Sequence, residues 1–313
     1  MKQRFYLCLF ILLFPIAAWA DSTALIIQGT PGSDAHEKKF TKWATETRDA
    51  LVQDMGFAKD RVILLTGERT QKAALEKTFT ELKQQVKPQD TFLLFLIGHG
   101  SFDTDYKLSI MGSPDLTGAE YSKLIDSLNA SRVIIVSSTP SSAGMFETMA
   151  GKNRVLVAAS RSGEKEDTVF YEHFLAGLKG VAADEDKDKK VSVLEALRYA
   201  NSGVERFYKE ATRIQTEHAG ISAGGAAQVA ATVSDQEAPV LARVTSLSAD
   251  RAVTVADPKL QALLNEKKAI EQNLEALRLD KNLLPEAEYD KRLEGLILEL
   301  SRKNQEIQEQ QKK

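Results

Sequence analysis

RVIIVSSTPSSAGMF, residues 132–146, is apolar over Val133–Val136 and then breaks into hydroxyls, a proline and a glycine. An apolar run that ends abruptly in small polar residues is how a strand buried on both faces delivers side chains to the edge of a sheet. Four other runs read the same way: TALIIQG (23–29), RVILLTG (61–67), TFLLFLIG (91–98) and RVLVAAS (154–160). Each is nearly continuous in Val, Ile and Leu rather than alternating, as parallel strands covered on both sides are. Amphipathic stretches at 37–56, 71–87, 117–129, 167–179 and 192–211 separate or follow them and predict helices. Thr117 with Glu120 has capping-box spacing at the start of one. Strand–helix alternation predicts a layered α/β domain over 21–218, with a mostly parallel central sheet and ligands beyond the C-terminal strand ends.

The chain opens with MKQRFYLCLFILLFPIAAWA, in which Lys2 and Arg4 precede an apolar run closed by Ala18-Trp19-Ala20. Charge, length and small residues predict a signal peptide over 1–20, and hence a periplasmic or secreted product starting near Asp21. Nothing later is apolar for long enough to span a bilayer, so no integral span is expected after cleavage. The single cysteine, Cys8, lies within that signal. The mature chain would then have no thiol for a disulfide, a zinc–thiolate site or nucleophilic attack. Removing Lys2 and Arg4 leaves 39 basic against 44 acidic residues, a net charge of −5 that offers no footprint for nucleic acid.

Residues 219–256 turn small and weakly apolar and are read as a linker that carries short strands. Beyond it, apolar residues fall at 260, 263, 270, 274 and 277, and again at 289, 293, 296, 300 and 307 after NLLPEAE. Alternating three- and four-residue spacing is a coiled-coil seam, and Pro285 suits the first turn of a second helix. The expectation for 257–313 is a helical hairpin or coiled coil that mediates homo-oligomerisation or receives a helical partner.

Candidate chemistry begins at TFLLFLIGHGSFD, where His99 follows a buried strand between Gly98 and Gly100. An imidazole so placed is a candidate general acid or base. His36, His173 and His218 stand in helical or helix-starting contexts and cluster with nothing along the sequence. Asp103 and Asp105 would orient the imidazole or a bound amine, or simply form the turn.

An apolar strand ending in His-Gly, a second ending before small hydroxyls and glycine, and a third followed by a small-residue loop resemble the caspase/legumain clan of cysteine peptidases. RVLVAASRSGEKEDTVFYEHFLAGL and ADEDKDKKVSVLEALRYA continue the resemblance, which covers roughly 23–215. It implies a caspase-like three-layer sandwich, a cleft near Gly100 and Arg161, a peptide or protein ligand, and His99 as the catalytic histidine. The family's strand typically ends Asp-x-Cys-x-Ser-Gly. Laid on VIIVSSTPSSAG, its Asp position falls on Ser137, its Cys position on Thr139, and its Ser-Gly pair on Ser141-Ser142-Ala143-Gly144. The sulfur is therefore replaced at Thr139.

A hydroxyl there, or at Ser138 or Ser141, needs an aligned base, an orienting acid and an oxyanion hole. Threonine is stiff at χ1 and Pro140 lacks an N–H, so the hydroxyls are read as caps of the following helix. Two functions remain: a pseudopeptidase acting as a binding and assembly module, or a hydrolase using His99 with a nucleophile within 138–142. Separately, Asp184, Asp186, Asp188, Lys190 (through its carbonyl) and Glu195 follow EF-hand spacing for calcium, with Lys189 where glycine is wanted.

Overall fold

The computed structural model describes residues 22–179, 182–187, 190–226, 228–234, 237–249, 257–281 and 283–311. The signal segment, Asp188, Lys189 and 250–256 lie outside the described residues.

In chain order the main elements are β1 (Ser22–Gln28), α1 (Asp34–Gln53), β2 (Val62–Leu65), α2 (Lys72–Gln85), β3 (Thr91–Ile97), β4 (Gly100–Phe102), β5 (Tyr106–Leu108), α3 (Gly118–Asp126) and β6 (Arg132–Ser137). There follow α4 (Met145–Met149), β7 (Arg154–Ala158), α5 (Phe170–Leu178), α6 (Val193–Glu210), β8 (Gly220–Ala223), β9 (Val229–Ala230), α7 (Val240–Val244), α8 (Pro258–Leu279) and α9 (Glu286–Gln311). The five apolar runs become the five parallel strands of a seven-stranded sheet ordered β2-β1-β3-β6-β7-β8-β9. β8 joins β7 antiparallel, and β9 joins β8.

Along β3, Leu93, Phe95 and Ile97 enter one core with Trp43, Phe174 and Leu197, carried by α1, α5 and α6. Phe92, Leu94 and Leu96 enter the opposite core with Phe79, Tyr121 and Met145, carried by α2, α3 and α4. Helices on both faces explain why these strands lack the polar alternation of a half-solvated sheet. The architecture is thus a three-layer α/β sandwich with C-terminal helices.

Several boundaries differ from the sequence reading for local reasons. α1 starts at Asp34 because the Ser33 hydroxyl accepts from the His36 N–H. Helix after 167 begins only at Phe170, leaving 161–169 as a loop over the strand ends. The β4–β5 hairpin went unread, since two three-residue strands carry too little periodicity. Within 219–256, read as a linker, β8 and β9 extend the sheet and Leu241 and Ala242 join its core. Thr117 and Glu120 form the expected capping box. No helix among the described residues is long and apolar enough to cross a membrane.

Candidate functional site

The C-terminal ends of β3 and β6 meet beneath the β4–β5 hairpin and the 161–169 loop. Gly98, at φ +151°, turns the chain out of β3 in a conformation that favours glycine. The His99 ring that follows is partly exposed, with Nε2 2.9 Å from the Pro31 carbonyl oxygen. A carbonyl can only accept, so Nε2 carries the proton and donates to Pro31. Nδ1 faces Asp167 Oδ1 at 4.0 Å.

His36 belongs to this cluster, contrary to the sequence reading that it stands alone. Its Nε2 lies 2.7 Å from Asp167 Oδ2 and its Nδ1 2.9 Å from Ser33 Oγ. Its ring meets His99 edge-on at 4.5 Å, and Phe40 closes the back of both imidazoles. Partial burial pushes the Asp167 carboxyl up, but the His36 hydrogen bond and the charges of His36, Lys39 and His99 prevail and hold it below 3.8. α1 thus supplies His36, one turn in, and the loop before α5 supplies Asp167. Proximity of that kind arises only when helix and loop pack on the same sheet edge.

Thr139, where the sequence resemblance sets the nucleophile, is fully buried. Its Oγ1 lies 3.0 Å from the Tyr106 hydroxyl and 3.1 Å from Ser137 Oγ, which is itself 3.0 Å from the same phenol. The three hydroxyls close a triangle. Burial pushes the Tyr106 phenol up to about 12, against the smaller opposing pull of the Ser137 and Thr139 hydroxyls. Gly100 roofs the triangle: a Cβ there would stand 2.6 Å from Thr139 Cβ and 3.0 Å from the Pro140 oxygen. Threonine thus fills its pocket with a methyl and satisfies its hydroxyl inward.

The neighbouring serines do not cap the helix after them, as the sequence reading had it. Ser141 takes φ +55° and makes no side-chain cap; its N–H and hydroxyl both donate to the Glu164 carbonyl, at 2.8 and 3.0 Å. Ser142 Oγ accepts from the Ser160 N–H at 3.1 Å. Ser138 Oγ accepts weakly from Gly98 N–H, and its carbonyl accepts from Thr168 at 2.6 Å. The Ser141 and Ser142 hydroxyls and the Ser138 carbonyl stitch the β6 end to the 160–168 segment, and the Ser138 hydroxyl turns to the β3 end, rather than any of them to their own helix. Short polar side chains choose whichever backbone group is nearest, and here tertiary packing supplies it.

Asp105 is spent structurally. It accepts from the N–H groups of Tyr106 and Ala119 and from the Thr148 hydroxyl. Burial pushes its carboxyl up, yet these bonds together hold it below 3.8. Asp103 is exposed in the hairpin turn. Arg161 is also exposed and lines a cavity of about 520 Å³ with Asn201, Glu205, Gln215 and His218. His218 is held by Glu164, which accepts from its N–H at 2.8 Å and meets its Nδ1 at 2.5 Å. Glu217 accepts from Val169 N–H, Phe170 N–H and Tyr208 OH, seating the loop at the start of α5. Its carboxyl is pushed above 4.5 by burial, which outweighs those hydrogen bonds.

Away from this edge, carboxylate oxygens of Asp184, Asp186 and Glu195 lie within 4.8 Å of one another. Glu195 is also the N3 residue of the α6 capping box with Ser192, and it accepts from the N–H groups of Glu185 and Ser192 at 2.9 and 2.7 Å. One residue therefore satisfies both the EF-hand spacing and the cap.

No family model and no curated protein matches the chain. Among solved structures it is similar to caspase-1 from Spodoptera frugiperda, at 10% identity and TM-score 0.41, over 65% of this chain and 86% of that one. It is also similar to the Drosophila initiator caspase Dronc, at 10% identity and TM-score 0.41, over 66% of this chain and 81% of that one.

Proposed function

We propose that this chain is an exported caspase-like pseudopeptidase, a binding and assembly module in which the peptidase site no longer performs cleavage. The observation that carries the reading is the fate of the Thr139 hydroxyl. A general base must reach the proton it removes, directly or through one water. The Thr139 hydroxyl is instead satisfied by Tyr106 and Ser137, and His99 directs its Nε2 proton to Pro31. Ser141 and Ser142 are likewise held by the 160–164 segment. The only cysteine precedes the expected signal cleavage site. What persists is a partly exposed edge with His99, His36 and Asp167, suited to binding a peptide or protein segment.

The test is incubation of the chain beginning at Asp21 with a serine-reactive phosphonate probe and a peptide library. The expected result is neither labelling nor turnover. Labelling or cleavage that His99→Ala abolishes would overturn the reading in favour of a hydroxyl hydrolase.

We further propose that the 184–195 loop takes calcium weakly. Three converging carboxylates are the hard oxygen donors such an ion selects. Two of their N–H partners compete for Glu195, and Lys189 replaces the glycine of the tight turn, so the expected dissociation constant is about 1 mM. Calorimetric titration should give saturable heat that Asp186→Ala removes; a flat titration of the unsubstituted protein would refute the site.

A further inference from the structure

α8 and α9 pack as a hairpin in which Tyr289 and Ile307 are buried, and Lys303 reaches across to Glu266 at 2.6 Å. The outer side of α9 is different in kind. Ile297 and Leu298 are 51% and 64% exposed there. At about 100° per residue, Leu298 stands some 200° round from Leu296, on the side away from the α9 seam.

The charges around Leu298 have a two-fold pattern. Glu294 lies four residues before it and Arg302 four residues after it, on one stripe of the helix. Eight residues span about 12 Å of axis, too far for these two to pair within one helix. Among the described residues neither closes an ion pair within 4 Å, although the Arg302 charge acts on Glu306 one turn on, while nearby Arg292 and Lys303 do pair. Gly295 and Ser301 flank the same stripe, and a Cβ at Gly295 would meet only open space.

We propose that α9 docks against α9 of a second copy of this chain, in an antiparallel crossing centred on Leu298. A two-fold axis there sets Leu298 on its counterpart, with Ile297 at its flank. It brings Glu294 of each copy opposite Arg302 of the other, so the ion pair forms twice, as an isologous interface requires. Gly295 falls opposite Ser301, and these small residues let the helices approach closely. A parallel pairing would set like charges against each other, and an unrelated partner would have to reproduce the reversed stripe. The stripe is complementary to itself. One helix pair buries less than the 1,200–2,000 Å² typical of stable complexes, so association on the order of micromolar is expected. The inference rests on the proposed role of the tail in assembly, and is independent of the chemistry at Thr139.

The test is sedimentation velocity of the chain from Asp21 over about 1–100 μM, a range bracketing that affinity. The protein should pass from monomer to dimer. Glu294→Arg or Arg302→Glu alone should weaken association at least about tenfold through like-charge opposition. The double exchange should restore it, and Leu298→Asp should abolish it. An unchanged helical circular-dichroism signal in all four variants shows that the three substituted positions leave the fold intact. A monomer at every concentration would overturn the inference. Association lost on deleting 257–313 but indifferent to the charge exchanges would also overturn it, while leaving tail-mediated assembly intact. Association that survives the deletion would refute both.

Discussion

Arg154→Ala is expected to destabilise the protein by about 3 kcal/mol, whereas Asp126→Asn should cost less than about 1 kcal/mol. Arg154 opens β7 and its side chain is only 3% exposed. One terminal nitrogen donates to the Met149 carbonyl at 2.8 Å and to Ser122 Oγ at 2.9 Å; the other donates to the Ser122 carbonyl at 3.2 Å and to Asp126 at 2.5 Å. A single guanidinium therefore ties β7 to α3 and to the end of α4. Alanine would orphan the buried Met149 carbonyl and strip two bonds from half-buried Ser122, losses of about 1–3 kcal/mol for a buried acceptor, and leave a void besides. Asp126, by contrast, is 71% exposed, so water replaces its partner and screens the ion pair. Urea denaturation of the two variants separates the contributions. Equal losses would mean that the ion pair, not the bonds to backbone, holds the strand.

Arg154 also illustrates what the sequence can convey. Its run, RVLVAAS, reads as a buried strand, and nothing in the run says where the arginine side chain goes. The strand is correct, because apolar periodicity reports burial of the element directly. The fate of the arginine depends on α3 and α4, and no local pattern encodes that. The same division runs through the candidate site. His99 and Gly100 are legible because glycine-flanked histidine after an apolar run has few backbone solutions. His36 and Asp167 are not: they are 131 residues apart and meet at 2.7 Å only because α1 and the loop before α5 share the edge of one sheet. Glu195 was legible as part of an acidic loop, yet capping and cation spacing demand the same residue type at the same position, so spacing alone could not separate them. Sequence spacing points Ser141 and Ser142 to the nearest helix, whereas their hydrogen bonds run to a segment some 20 residues onward. Local rules fail where a short polar side chain has a tertiary alternative.

On the proposed pseudopeptidase reading, that distinction decides whether Thr139 differs from a cysteine nucleophile by its sulfur alone. If only the sulfur were missing, Thr139→Cys would return a reactive thiol. We expect it not to. Threonine fills two of the three staggered positions on its Cβ, with Oγ1 and Cγ2, and the residue is fully buried. A cysteine sulfur at either position would therefore be enclosed, under the Gly100 roof and beside the Tyr106 phenol. Burial in such surroundings raises a thiol's pKa and suppresses the thiolate that does chemistry. His99, which would have to draw off that proton, already directs its protonated nitrogen to Pro31. The substituted chain from Asp21, which has no other cysteine, should resist iodoacetamide under native conditions and react at once in urea. It should gain no peptidase activity. Some stability should also go, about 1 kcal/mol, because sulfur is a poor partner for the two hydroxyls left behind. Rapid native labelling, or cleavage that His99→Ala removes, would show instead that the site is one atom from function. Slow labelling would locate the loss in the packing around Thr139 rather than in the residue itself: restoring chemistry would then require reopening the hydroxyl triangle with Tyr106 and Ser137 and freeing the His99 ring.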